Sequence, residues 1–189
     1  CLLVNCSLGI VHRYGIVHRY AEKIVKGFEE NAYSIGIFLD LSKAFDTINH
    51  DILLEKLNYY GIRGVAHHWF ASYLNNRQQC VHFNNCPSDF KSISCGVPQG
   101  SLLGPLLFLI YINDISKSSK LLSFILYADD TSIFYRNQNL ISLYEIVNNE
   151  LVNICDWFKA NRLSLNISKC NYMVFSNKKN TIHQILILY

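Results

Sequence analysis

The sequence predicts an α+β fold, an antiparallel sheet covered by helices on one face. Three observations predict it. Apolar runs of strand length end at turn signals near residues 40, 127 and 176. Apolar stripes at helical spacing lie between them. The resulting order is strand, two helices, hairpin, helix, hairpin, helix, strand.

Taken in order, the chain opens irregularly. Val11-His12-Arg13-Tyr14 recurs as Val17-His18-Arg19-Tyr20, a local duplication too short for a solenoid. Residues 21–31 carry Ile24, Val25 and Phe28 at helical spacing. Residues 35–40 are an apolar strand closing on Asp40. Helices are predicted over 51–60 and 65–75. Their stripes, Leu53, Leu54, Leu57 and then Trp69, Phe70, Tyr73, Leu74, are expected in the core. Strands over 79–83 and 90–94 flank a turn at 84–89. An apolar helix follows at 106–112. The run 102–112 is too short and too proline-interrupted to span a membrane. Tyr144, Val147, Leu151, Ile154, Cys155 and Phe158 predict a helix over 140–161, and residues 172–176 a last strand.

A chain of 189 residues can bury one good core, with room for a partial second domain. Half its residues are apolar and 13% aromatic, which excludes a disordered chain. Net charge is only +3, so charge distribution matters more than the total. Five basic residues and one acid lie between Asp156 and Asn180. That stretch could follow a phosphate backbone, though a solvated face is the commoner reading. The seven cysteines are odd in number and include no Cys-x-x-Cys, so neither a disulfide framework nor a zinc site is expected. They read as reduced thiols of an intracellular protein. The seven histidines, among them the adjacent His67 and His68, form no metal pattern and read as surface residues. The start at Cys1 and the strand-like ending at 181–189 suggest a fragment of a longer chain.

The chemistry concentrates at three places. Tyr127-Ala128-Asp129-Asp130 sits between apolar runs and reads as strand, tight turn, strand, with paired acids at the tip. Two carboxylates held there suit a hard divalent cation such as Mg²⁺, although Asp-Asp is also ordinary turn chemistry. Asp40 lies at the C-terminal edge of its strand, the edge where open α/β sheets keep ligand sites. If the two strands are neighbours, Asp40 and Asp129 converge, and the acids could hold two metal ions roughly 3.5–4 Å apart for phosphoryl transfer. Asp46 precedes Thr47 and a helix, so capping or an exposed salt bridge suits it better than metal binding. Third, Gly96, Gly100 and Gly104 with Pro98 and Pro105 make a loop of special backbone geometry. It could admit a base or sugar close to the backbone, with Gln99 hydrogen bonding there, or be a plain loop before a core helix.

Together these segments resemble a known family. Phe38-Leu39-Asp40-Leu41-Ser42-Lys43-Ala44-Phe45-Asp46, then Gly96-Val97-Pro98-Gln99-Gly100-Ser101 with Gly104-Pro105, then Tyr127-Ala128-Asp129-Asp130 are similar to motifs A, B and C of reverse transcriptases. Tyr60-Gly61-Ile62-Arg63-Gly64, Asn76-Arg77-Gln78-Gln79 and Tyr111-Ile112-Asn113-Asp114 point to non-LTR, LINE-type retrotransposons of the jockey group. Leu163-Ser164-Leu165-Asn166 with Lys169 is similar to motif D. Each piece is weak alone, but the ordered set is specific.

The resemblance implies a polymerase palm over residues 35–176 with partial fingers and no complete thumb. Residues 1–34 would be a remnant of fingers or an N-terminal extension, and 177–189 the start of a following region. It implies RNA-directed DNA synthesis from dNTPs on an RNA template and DNA primer, with two Mg²⁺ ions or Mn²⁺ in their place. Asp40 and Asp129 would be the principal ligands, and Asp130 would assist. Leu41 would lie along the triphosphate. Phe45 would be the steric gate against a 2′-OH, the group by which RNA and DNA differ. Gln99 and Gly100 would contact the nucleotide. Lys169 would be a general acid, or else a solvated lysine. The parent would bring an endonuclease, and the nucleus would be its workplace, with the cytoplasm as alternative. A triphosphate-binding Arg has no clear match, Arg13 and Arg19 being poor stand-ins. A catalytically inactive fragment is the competing expectation. A viral RNA polymerase fits less well, since such enzymes usually carry Asp where Phe45 stands.

Overall fold

A computed structural model describes residues 17–84 and 86–177. The first half of the tetrapeptide repeat, Arg13, Cys1, Cys6 and the strand expected at 181–189 lie outside the described residues. In chain order the elements are helix α1 (17–29), strand β1 (Tyr33–Leu39), α2 (His50–Tyr59), α3 (Gly64–Leu74), β2 (Arg77–Gln79), β3 (His82–Phe83), β4 (Cys86–Pro87) and β5 (Lys91–Ile93). There follow α4 (Leu103–Ile112), a 3₁₀ turn (Asn113–Ser118), β6 (Ser123–Tyr127), β7 (Asp130–Asn137), α5 (Leu140–Ala160) and β8 (Asn171–Phe175). Among the described residues no helix is long and apolar enough to cross a membrane.

The chain divides into two compact units. The chain first passes from one to the other between Asp40 and Leu41. The first unit takes the chain up to Asp40, Ser119–Ile154 and the residues from Ile167 on. Its frame is a four-stranded sheet in the order β6-β7-β1-β8, antiparallel throughout. β1 is central. That is why its sequence, YSIGIFL, is nearly continuously apolar rather than alternating. Ile35, Ile37, Leu39 and Ile133 are buried on one face, and Ser34, Ser132 and Phe134 on the other.

The element order predicts one covered face, yet both are buried. α1 accounts for one of them. Tyr20 hydrogen bonds Ser132, Oη to Oγ, at 2.7 Å, and its ring meets Phe38 and Phe134. A Cβ on Gly27 would press on the Ser34 hydroxyl, so glycine lets the helix lie close to the strand without turning that side chain aside.

The second unit takes Leu41–Ser118 and Cys155–Asn166. Its core holds Leu53, Leu57, Leu74, Leu107, Phe108, Tyr111 and Ile112. Asn49, not Asp46, caps α2, its side chain accepting from the Ile52 N–H at 3.0 Å. The hairpin is also tighter than its composition suggests. β2 pairs β5 and, further out, β3 pairs β4, with Asn84 at positive φ in the turn. The break between the two ladders is held by a mutual bond of Val81 and Ser88. α3 departs most. Of its expected core stripe only Leu74 is buried, and Trp69 is 52% exposed.

Candidate functional site

The hairpin of β6 and β7 turns through Ala128 and Asp129, because Tyr127 pairs Asp130. Ala128 sits at φ +50, the strain of a two-residue turn whose tip must present the following acid. Next to it, Leu39 pairs Thr131. Asp40 follows Leu39 and Asp130 precedes Thr131, so both acids leave the sheet at one edge. Register therefore brings Asp40, Asp129 and Asp130 into one field. Burial raises the Asp130 carboxyl above its ordinary pKa, and the charges of Asp129 and Asp40 push it further the same way. Lys169 Nζ lies 3.8 Å from Asp40 Oδ2.

Among the described residues no three acidic, histidine or cysteine side chains already form a cage. The donor chemistry still fits a hard divalent cation. These are carboxylate oxygens at one edge, mutually repelling, with one nearby ammonium to offset them.

The second unit carries Leu41, Phe45, Gln99 and Gly100. Motif-like segment Cys95–Val97 is zipped along Phe45–Asn49. The Gly96 N–H donates to Ile48 O at 2.7 Å and the Val97 N–H to Phe45 O at 2.8 Å. Asn49 and Cys95 form a bridge. Gly96 has φ +85, and a Cβ there would stand 2.8 Å from Asp46 O. Glycine is thus required twice at this position, by conformation and by space. Gln99 Nε2 donates to Asp46 Oδ1 at 2.7 Å, so its amide is oriented by the acid expected to cap a helix or make an exposed salt bridge. Ser101 Oγ donates to Pro98 O and accepts from the Gly104 N–H in the first turn of α4. Pro105 is tolerated there because first-turn positions need no amide hydrogen. Gly100 is at φ +80 with nothing near its Cβ position. Phe45 is half-buried, its ring 4.9 Å from that of Phe108. Leu41 bridges Leu165, and the Ser42 N–H donates to Ser164 O at 2.8 Å.

Two residues of this scaffold carry no site signal in the sequence. His50, expected at the surface with the other histidines, is buried and its Nε2 donates to Gly96 O at 2.7 Å. Its place in the stripe of Leu53 and Leu57 was the available clue. Lys56 is nearly buried, donating to Asp114 and to Tyr111 O, each at 2.6 Å. Its ammonium lies 4.8 Å from the centroids of both Tyr111 and Trp157. Burial lowers its pKa, and Asp114 only partly restores it. Arg19 is exposed on α1.

The family described as reverse transcriptase (RNA-dependent DNA polymerase) matches residues 8–185. A probable RNA-directed DNA polymerase from transposon X-element of Drosophila melanogaster is 29% identical over 87% of this chain. The RNA-directed DNA polymerase from mobile element jockey of the same fly is 27% identical over 86%. The chain spans 18% of the length of each. A solved telomerase from Candida tropicalis, in complex with a fragment of telomeric RNA, superposes with a TM-score of 0.63. That match covers 89% of this chain and 30% of the telomerase at 14% identity, and shows a shared fold.

Proposed function

The chain belongs to the reverse transcriptase family, as a domain of the LINE type, and from this we propose that it is the polymerase core of an RNA-directed DNA polymerase. The four-stranded sheet is its palm, within a core spanning residues 35–176. Its substrates are an RNA template, a DNA primer and dNTPs. The primer 3′-oxygen attacks the α-phosphorus of the dNTP, the α–β phosphoanhydride bond breaks, and pyrophosphate leaves.

Asp40 and Asp129, with Asp130 assisting, would hold divalent ions, which we take to be two Mg²⁺; bound there, these would supply activation of the primer hydroxyl and charge neutralisation on the leaving group. Lys169 gives a proton toward the departing pyrophosphate. Leu41 lies along the triphosphate. Phe45 excludes a ribose 2′-OH, and Gln99 with Gly100 orients the nucleotide or its template partner. The residues act mainly by positioning and by charge complementarity.

The observation that supports this reading most is the common field of Asp40, Asp129 and Asp130, whose charges add to the effect of burial in raising the Asp130 pKa. Carboxylates crowded at an exposed edge repel one another unless a cation belongs there. Primer extension on an RNA template, with dNTPs and Mg²⁺, tests it. Extension by the wild type and none by Asp129→Ala is the expected result. Equal extension by both would remove the assignment. No extension by either would favour a catalytically inactive fragment.

A further inference from the structure

The exposed face of α3 holds an ordered row of flat groups. The Trp69 indole and the Tyr73 ring are parallel, 10° between planes and 5.4 Å between centroids. The row continues with Arg77, whose guanidinium carbon lies 5.5 Å from the Tyr73 centroid. Phe70 braces it edge-on, 5.1 Å from Trp69. Trp69 is nevertheless 52% exposed, leaving much of the indole open.

An aromatic pair one helical turn apart is common by itself. Two further observations say what would cover this one. No acidic residue occurs between Glu55 and Asp89, whereas Lys56, Arg63 and Arg77 do. A polyanion meets no repulsion from this segment. Arg77 also lines a groove of about 660 Å³ in the same unit, whose other walls include Gln78, Ser92, Gly96, Gln99 and one acid, Asp46, whose carboxylate accepts from the Gln99 amide. The row of rings thus leads into a polar groove bordered by the glycine-proline loop.

We propose that Trp69, Tyr73 and Arg77 form a stacking platform for single-stranded RNA, whose unpaired bases extend the stack before the strand enters the groove at Gln99. Aromatic faces hold bases of any sequence, and an arginine adds attraction to both base and phosphate. Only the identification of that strand as the template rests on the polymerase reading. Binding itself requires no catalysis.

Trp69 and Trp157 are the two tryptophans of the chain, so Trp157→Phe leaves Trp69 as the reporter. Short oligouridylate is titrated against its fluorescence, beside a blunt RNA duplex of equal length. The single strand should quench Trp69, and the duplex, whose bases are already stacked, should not. Tyr73→Leu and Arg77→Gln, each first shown to keep the wild-type melting curve, should each weaken binding about tenfold. No quenching, or equal quenching by duplex, would overturn the platform. So would quenching that follows protein concentration without RNA, which would give the face to a second copy. Quenching without primer extension would keep the platform and remove the polymerase reading. Extension without quenching would do the reverse.

Discussion

Lys169 Nζ lies 3.8 Å from Asp40 Oδ2, although these residues belong to opposite ends of the sequence. The lysine is 68% exposed, so the pair adds little to stability. Its effect should be kinetic. Lys169→Met should lower kcat about a hundredfold with an almost unchanged KM for dNTP. Single-turnover extension at saturating dNTP measures this. Lys169→Arg, which keeps the positive charge but cannot give up its proton, should stay slow, and full activity there would leave the lysine a charge balancer only.

Asp40→Ala and Asp129→Ala should each abolish extension without unfolding the chain. Asp130→Asn should retain measurable activity, since Asp130 only assists. Removing Mg²⁺ with a chelator should stop the wild type, and restoring it should recover the rate. Circular dichroism on the same samples separates lost chemistry from lost fold.

Phe45 packs on Phe108, so its replacement has two effects. Phe45→Val should cost about 1–3 kcal/mol of stability. It should also raise ribonucleotide incorporation relative to deoxyribonucleotide. Competitive extension with dNTP and rNTP reads the ratio directly, and an unchanged preference would reject the gate.

Gly96→Ala places a side chain at φ +85 and 2.8 Å from the Asp46 carbonyl. A loss of about 2 kcal/mol or more is expected. Chemical denaturation would show it, and a neutral result would mean the loop relaxes freely.

Lys56 supplies a pH test. Its pKa is lowered in the folded chain, first by burial, so the unfolded chain binds the extra proton more readily. Between the folded and unfolded pKa values the unfolded state carries more protons, and stability rises with pH. Below the folded value the cost of burying the ammonium is felt in full. The stability of the wild type relative to Lys56→Met should therefore improve as pH rises toward the ordinary lysine range. Paired urea titrations at neutral and alkaline pH check the sign.

Local chemistry carried much of this in one dimension. The period of α5 is written in Tyr144, Val147, Leu151 and Ile154, and the helix runs within one residue of its predicted end. β1 was legible from its apolar run, and the hairpin turn from Asp129 and Asp130 lying between two such runs. Asp40, Asp129 and Asp130 were readable as candidates because each ends or begins a strand. The capping role was misread because Asp46 and Asn49 have similar side chains, and only the backbone path selects between them.

By itself the sequence determined the element order, the family and which acids stand at strand ends, since these follow from period, turn chemistry and an ordered set of motifs. Tertiary structure decided what no local pattern encodes. The register of β1 against β7 set Asp40 beside Asp130. The close pass of Gly96 over Asp46 buried His50 and bonded it to the loop. The surroundings of α3 left Trp69 in solvent despite its core-like spacing. Periodicity fixes which residues share a face, but whether that face is covered depends on distant segments and on the energy of packing them there.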